Sequence, residues 1–311
     1  MAARGGPFPT RDGFLPVDGG RLYWRSVGDP ASPPLLVVHG GPSEHGYLRV
    51  LEDLVPYGIR VVFYDQWGCG RSTRWPLPSR YGPASAGQHV ERVRQVLRLG
   101  RPTLFGHSWG GAVALEAIAQ FPRSYRRLVL CGAFPSTASF GRAMRLHLRS
   151  LPPAIRRPLE AGETSGRFES AAYRQALRRR RREFSQGVRV LPLEFRAAEA
   201  RVNRRLLRAI FGHRPGLLSR PTGSLAGWDV RPRLGRVRVP TLLLAGDREA
   251  GRFTARELHR LWPRSRLTLI AGAAHLPFYE QRDRFLGELL DFLSPRPRRG
   301  TGPDRRARKR A

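Results

Sequence analysis

Short apolar runs recur along the chain: Pro34–Val38 (PLLVV), Arg60–Tyr64 (RVVFY), Thr103–Phe105, Arg127–Cys131 (RLVLC), Thr241–Ala245 (TLLLA) and Arg266–Ile270 (RLTLI). Runs this short and this continuous read as strands buried on both faces. Gly13–Val17 and Arg21–Val27 flank Asp18-Gly19-Gly20, and Asp-Gly between two such runs predicts a hairpin. Helical periodicity at Gln88–Leu99, Ala112–Gln120 and Phe285–Leu293 alternates with the strand runs. That alternation predicts an α/β architecture, a mostly parallel central sheet flanked by helices and joined by right-handed crossovers.

The alternation stops between Ser136 and Gly227. Ala, Leu, Arg and Glu dominate there, punctuated by Pro152-Pro153, Pro158, Pro192, Pro215 and Pro221. The segment reads as a helical insertion capping the sheet. The expected organisation is a flexible N-terminus at 1–12, a core made of 13–135 and 228–294, a helical cap at 136–227, and a disordered basic tail at 295–311. The run Arg178–Arg182 reads as a solvated helix face.

The chain has 311 residues, 41% of them apolar, a globular composition with ample length for a buried core. Its net charge is +32, and 55 of the 56 cations are Arg, Lys309 being the exception. Asn203 is the sole Asn and Ile appears five times. Lys, Asn and Ile have AT-rich codons, so this profile fits a GC-rich genome using Arg wherever a cation serves. The charge is uneven: residues 142–220 hold 20 Arg against six Glu, and 296–311 hold eight cations against Asp304. Such an excess predicts nonspecific attraction to polyanions. No helix-turn-helix, finger or RNP-type motif accompanies it, so no specific nucleic-acid partner is expected. No apolar run approaches the ~20 residues of a membrane span, and MAARGGPFPTRDG lacks a signal-peptide apolar stretch. Cys69 and Cys131 fit neither zinc nor disulfide spacing. The reading is a cytoplasmic protein with no metal and no cofactor.

Candidate chemistry begins at Gly106-His107-Ser108-Trp109-Gly110, a G-x-S-x-G pattern between a strand run and a helix pattern. A serine there sits on a tight strand-to-helix turn whose flanking glycines keep Cβ atoms out of the bend. Serine is a poor nucleophile without a base. His275 follows the last strand run, at the same carboxyl edge of the sheet as Ser108, and completes the order serine, acid, histidine. The acid lies in Gly246-Asp247-Arg248-Glu249-Ala250. Either Glu249 or Asp247 is suited to orient His275, and their spacing allows only one to serve. His39-Gly40-Gly41-Pro42 leaves the Pro34–Val38 run, and its glycines let backbone N–H groups approach a substrate carbonyl. The N–H of Trp109, next after the serine, is the second candidate donor.

Three motifs together, His39-Gly40-Gly41-Pro42, Asp65-Gln66-Trp67-Gly68-Cys69-Gly70-Arg71-Ser72 and Gly106–Gly111, resemble the prolyl iminopeptidase branch of the α/β hydrolases (peptidase family S33). The resemblance runs from about Gly13 to Leu293 and is weakest across the cap. It implies an α/β-hydrolase fold, with Ser108 as nucleophile, His275 as base, and Gly41 and Trp109 as oxyanion donors. It also favours Glu249, because the family acid falls three residues after the strand-ending glycine, here Gly246. That family usually has Asp there, so Asp247 stays an alternative. Two departures concern substrate. The family holds a free amino terminus with one glutamate directly after the triad acid and one in the cap before a Trp-Asp pair. Here Ala250 takes the first place, and Pro215–Gly227, before Trp228-Asp229, has no acid. An ammonium enclosed without a carboxylate loses several kcal/mol.

The expected function is therefore a serine hydrolase of a small ester, amide or short peptide, working through an acyl-enzyme and lacking the amine-anchoring acids. The alternatives are a true proline iminopeptidase, an acyltransferase sharing the same acyl-enzyme, and a non-catalytic hydrolase-like protein that binds anions or nucleic acid. Which residues bind substrate, and the oligomeric state, are not read from the sequence.

Overall fold

The apolar runs pair into one sheet. Its strands are β1 (Thr10–Val17), β2 (Gly20–Val27), β3 (Pro34–Val38), β4 (Arg60–Tyr64), β5 (Thr103–His107), β6 (Arg127–Cys131), β7 (Thr241–Gly246) and β8 (Arg266–Ile270). The order is β1-β2-β4-β3-β5-β6-β7-β8. The β1–β2 and β2–β4 pairs are antiparallel, and from β4 to β8 every pair is parallel. This computed structural model describes residues 8–75, 81–185, 187–188, 190–213, 215–262 and 264–294.

Alternate side chains of each strand enter different layers. Leu36, Val38, Val62 and Leu104 pack with α1 (Pro83–Val96) and α2 (Trp109–Gln120) on one face. Leu35, Val37, Val61 and Phe105 pack on the other, with the 3-10 segment His45–Tyr57 and, near the far edge, Phe285 and Leu289. Each fully buried aliphatic or Phe side chain contributes about 1.5–3 kcal/mol, so covering both faces favours continuous apolar strands over alternating ones.

Between β6 and β7 the chain forms α3 (Thr137–Ser150), α4 (Pro153–Ser165), α5 (Ala171–Phe184), α6 (Leu193–Ala200), α7 (Arg204–Phe211) and the short α8 (Arg231–Leu234). Leu148, Ile155, Leu159 and Tyr173 make a separate apolar cluster there. Entry and exit of this segment are stapled together: Thr137 N–H donates to Trp228 O at 2.9 Å, and Val230 N–H to Pro135 O at 3.1 Å. After β7 come α9 (Gly251–Leu261), then α10 (Pro277–Glu280) and α11 (Arg282–Leu293) beyond β8.

Several elements differ from the sequence expectation, and three of the differences have a clear physical reason. The N-terminal segment was expected to be flexible through residue 12, yet Thr10–Asp12 belong to β1. They pair with Arg25–Val27, and Tyr23 Oη donates to Asp12 Oδ2 at 2.7 Å, which holds this end in the sheet. Residues 1–7 and the expected basic tail at 295–311 lie outside the described residues. Helix α1 starts at Pro83, not Gln88, because Gly82 caps it and Pro83 takes the first helical position, where its missing N–H costs nothing. Helix α9 has no counterpart in the apolar pattern, since Arg252, Arg256, Glu257 and Arg260 interrupt it; its inward face is Thr254, Ala255, Glu257 and Leu258.

Candidate active site

Ser108 joins β5 to α2 with φ 55° and ψ −121°, a conformation that non-glycine residues rarely hold and that costs about 1–3 kcal/mol. The bend is crowded: a Cβ on Gly106 would lie 2.6 Å from Gly110 O, and one on Gly110 would lie 2.2 Å from Val38 O. Glycines at those two positions are what let the strand, the turn and the helix close up around the serine.

His275 lies on the loop after β8 and meets the serine at the carboxyl edge of the sheet. Its Nε2 is 3.0 Å from Ser108 Oγ, and its Nδ1 makes a short contact with Glu249 Oε2. With Nδ1–H donating to the carboxylate, Nε2 accepts from the serine hydroxyl. Glu249 is buried, and Asp247 points elsewhere, accepting from Gly272 N–H at 3.0 Å. The loop thus brings Glu249, and not Asp247, to His275. Burial pulls the His275 pKa down, but the charge and hydrogen bond of Glu249 outweigh it and hold the imidazole above its ordinary value.

A third carboxylate, which the sequence did not single out, grips the same loop. Glu280 accepts from the backbone N–H of Ala274, from Leu276 N–H at 3.0 Å, and from Gly187 N–H of the cap segment at 3.2 Å. The N–H groups of both residues that flank His275 are therefore tied to one side chain.

The glycine loop is fixed by two buried networks. His107 Nε2 lies 3.0 Å from the carbonyl oxygen of His275, which only accepts, so Nε2 carries the proton. His107 Nδ1 then accepts from Tyr47 Oη at 2.8 Å, and Tyr47 Oη accepts from Gly40 N–H at 2.6 Å. Burial, with the charge of His275 next, keeps the His107 pKa well below its usual value, which preserves this neutral tautomer. Gln66 makes the second link. Its Nε2 donates to His39 O at 2.6 Å, while its Oε1 accepts from Trp109 Nε1 at 3.0 Å. Gly40 N–H is thereby occupied, which leaves Gly41, at φ 55°, as the loop's candidate donor. Trp109 is the first residue of α2, so its N–H has no acceptor within the helix. Gln66 lies within the Asp65–Ser72 motif, whose pattern does not mark its role, and Tyr47 carries no sequence signal.

Two cavities meet at Ser108 and His275. The larger, about 410 Å³, is walled by Phe134, Phe140, Met144, Leu177 and Phe184, with Ala250 and Arg180 also on its surface. The smaller, about 230 Å³, is lined by Gly40, Gly41, Tyr47, Phe195, Arg181 and Glu199. The Arg178–Arg182 run is thus not wholly a solvated face, because α5 turns Arg180 and Arg181 toward the two cavities. Among the cap glutamates, Glu199 alone lines either cavity, and it is ion-paired with Arg181. Asp229 is paired with Arg231 at 2.5 Å, and Trp228 Nε1 donates to Glu116 Oε1 at 2.6 Å. Cys69 and Cys131 are buried free thiols. Among the described residues no group of three or more His, Cys, Asp or Glu side chains is placed to hold a metal, and no helix is long and apolar enough to cross a membrane.

The chain is similar to known proteins in sequence and in fold. The chain is 28% identical to a proline iminopeptidase of Lactobacillus delbrueckii subsp. lactis, covering 90% of this chain and 97% of that one. It is also 28% identical to a proline iminopeptidase of Saccharolobus solfataricus, over 94% and 95% of the two chains. The crystal structure of proline iminopeptidase from Mycobacterium smegmatis superposes with a TM-score of 0.83 at 25% identity, covering 91% of this chain and 97% of that one. That of VinJ superposes at 0.77 with 26% identity and the same coverage. The sequence profile of the alpha/beta hydrolase fold matches residues 33–281, most of the chain. By that match the chain belongs to the alpha/beta hydrolase family, and it is a hydrolase.

Proposed function

We propose that the protein is a serine hydrolase that cleaves a small ester or amide through an acyl-enzyme. The observation that carries this is the strained Ser108 with its hydroxyl 3.0 Å from a histidine whose far nitrogen is held by a buried glutamate. In the first half-reaction His275 Nε2 takes the Ser108 hydroxyl proton as Oγ attacks the substrate carbonyl carbon. Glu249 stabilises the imidazolium that forms. The carbonyl oxygen becomes an oxyanion and accepts from the N–H groups of Gly41 and Trp109. The tetrahedral intermediate collapses as His275 passes its proton to the departing alcohol or amine, leaving an acyl ester on Ser108. In the second half, water gives a proton to His275 Nε2 and attacks that ester, and the serine is regenerated with release of the acid.

The substrate preference in this proposal is for a neutral or anionic group rather than a free amine. Ala250 offers no charge, and Glu249, the one carboxylate among the described residues lining the larger cavity, is engaged with His275. The second reading is release of an N-terminal proline. It is favoured by the named relatives and by Glu199 in the smaller cavity. Hydrolysis of free prolyl-arylamide against its N-acetyl form separates the two. Equal or better turnover of the acetylated form supports the proposal. A preference for the free amine above about tenfold, ~1.4 kcal/mol, restores the iminopeptidase reading with Glu199 as the candidate anchor.

A further inference from the structure

We infer that Arg180 is an anion anchor, so that the part of the substrate entering the larger cavity is an apolar group ending in a carboxylate or a similar anion. This rests on the serine-hydrolase reading above. It adds a substrate class and the residue that selects it.

Helical register, not composition, places Arg180. In α5 the residues Tyr173, Ala176, Leu177, Arg180 and Phe184 follow the spacing of one helix face. Tyr173 and Ala176 are buried, and Leu177 and Phe184 wall the cavity. Arg180 therefore lies on the inward stripe, half-buried, while its neighbour Arg178 is exposed. One of its guanidinium nitrogens is 3.9 Å from Met144 Sδ, another cavity wall.

The surroundings add to that charge. Arg248 lies over the ring of Phe184, a wall of the cavity, 5.1 Å from its centroid. Asp247, the acid of this loop that misses His275, is held by Gly272. The charge of Arg180 acts at His275, where it opposes the effect of Glu249. A guanidinium presents five N–H donors in a planar fork, enough to hold a ligand carboxylate beside a protein partner. Apolar walls lower the local dielectric, which strengthens such a pairing and, equally, the repulsion between the guanidinium and an ammonium.

The test uses the full chain and two matched series. In one, 4-nitrophenyl monoesters of dicarboxylic acids from adipate to suberate are compared with their methyl esters. In the other, the hexanoyl ester of 4-hydroxybenzoate is compared with that of its methyl ester, which moves the anion to the leaving group. The wild type is expected to favour the anionic member of at least one pair by about tenfold in kcat/KM, with the preference shrinking as salt is added. Arg180→Met should bring that ratio to near unity, and Arg180→Lys should keep part of it. Competitive inhibition of the wild type by suberate against dimethyl suberate reads the same preference without any variant. Equal or better use of the neutral member in every pair, or a preference that survives Arg180→Met, overturns the anchor while leaving the serine-hydrolase reading intact. Absence of turnover with every ester overturns both.

Discussion

Tyr47 Oη donates to His107 Nδ1 across 2.8 Å, in a segment that shares neither strand nor helix with the serine turn. The same oxygen accepts from Gly40 N–H, and the far nitrogen of His107 donates to the carbonyl oxygen of His275. One hydroxyl thus sets the distance between the glycine loop and the loop that carries the histidine. Tyr47→Phe leaves both a buried N–H and a buried imidazole nitrogen without their partner, at about 1–3 kcal/mol each. The expected result is a lowered melting temperature and a fall in kcat of about tenfold with little change in KM. That is smaller than the loss of a direct oxyanion donor, because Tyr47 acts through the loop. Steady-state kinetics with an aryl ester checks it.

Glu249 and Asp247 give opposite expectations although they are two residues apart. Glu249→Gln removes the charge that orients and stabilises His275, and kcat should fall by roughly 10²–10⁴. Asp247→Asn should leave kcat within a few-fold, because its carboxylate accepts from Gly272 N–H while His275 is bonded to Glu249. Side-by-side kinetics of the two variants decides the acid, and the reverse ranking would give the role to Asp247.

The pH profile carries the same signature. His275 serves as a base only when neutral, so kcat/KM rises with pH through its titration. Burial lowers that pKa, but Glu249 raises it more, so the midpoint should lie above the ~6.5 of an unperturbed histidine. Removing the charge in Glu249→Gln should move the midpoint down. Measured kcat/KM across mildly acidic to mildly basic buffers tests both points, and a variant midpoint at or above that of the wild type would contradict this assignment.

The middle of the sheet was legible because β3 to β7 are covered on both faces, so each appears as an unbroken apolar run, whereas β1 and β2 were marked by the Asp-Gly turn between them. The serine turn and the histidine loop were legible because G-x-S-x-G and the last strand both mark the carboxyl edge of that sheet. The choice between Asp247 and Glu249 is a matter of side-chain direction on a loop, which spacing does not contain. Tyr47, Gln66 and Glu280 act across the chain, from segments whose local pattern only announces packing. Arg180 shows the opposite problem. Five consecutive arginines look like a solvated face by composition, while the register counted from Tyr173 turns the third of them inward.

The central claim is that Ser108 is a nucleophile activated by His275. A fluorophosphonate reacts at an appreciable rate only with such a serine. Intact-mass analysis after exposure to the probe, followed by peptide mapping, reads the modification directly. A single adduct on Ser108 is expected in the wild type, none in Ser108→Ala, and labelling slowed by orders of magnitude in His275→Ala. An unlabelled wild type, or an adduct that persists in Ser108→Ala, would contradict it.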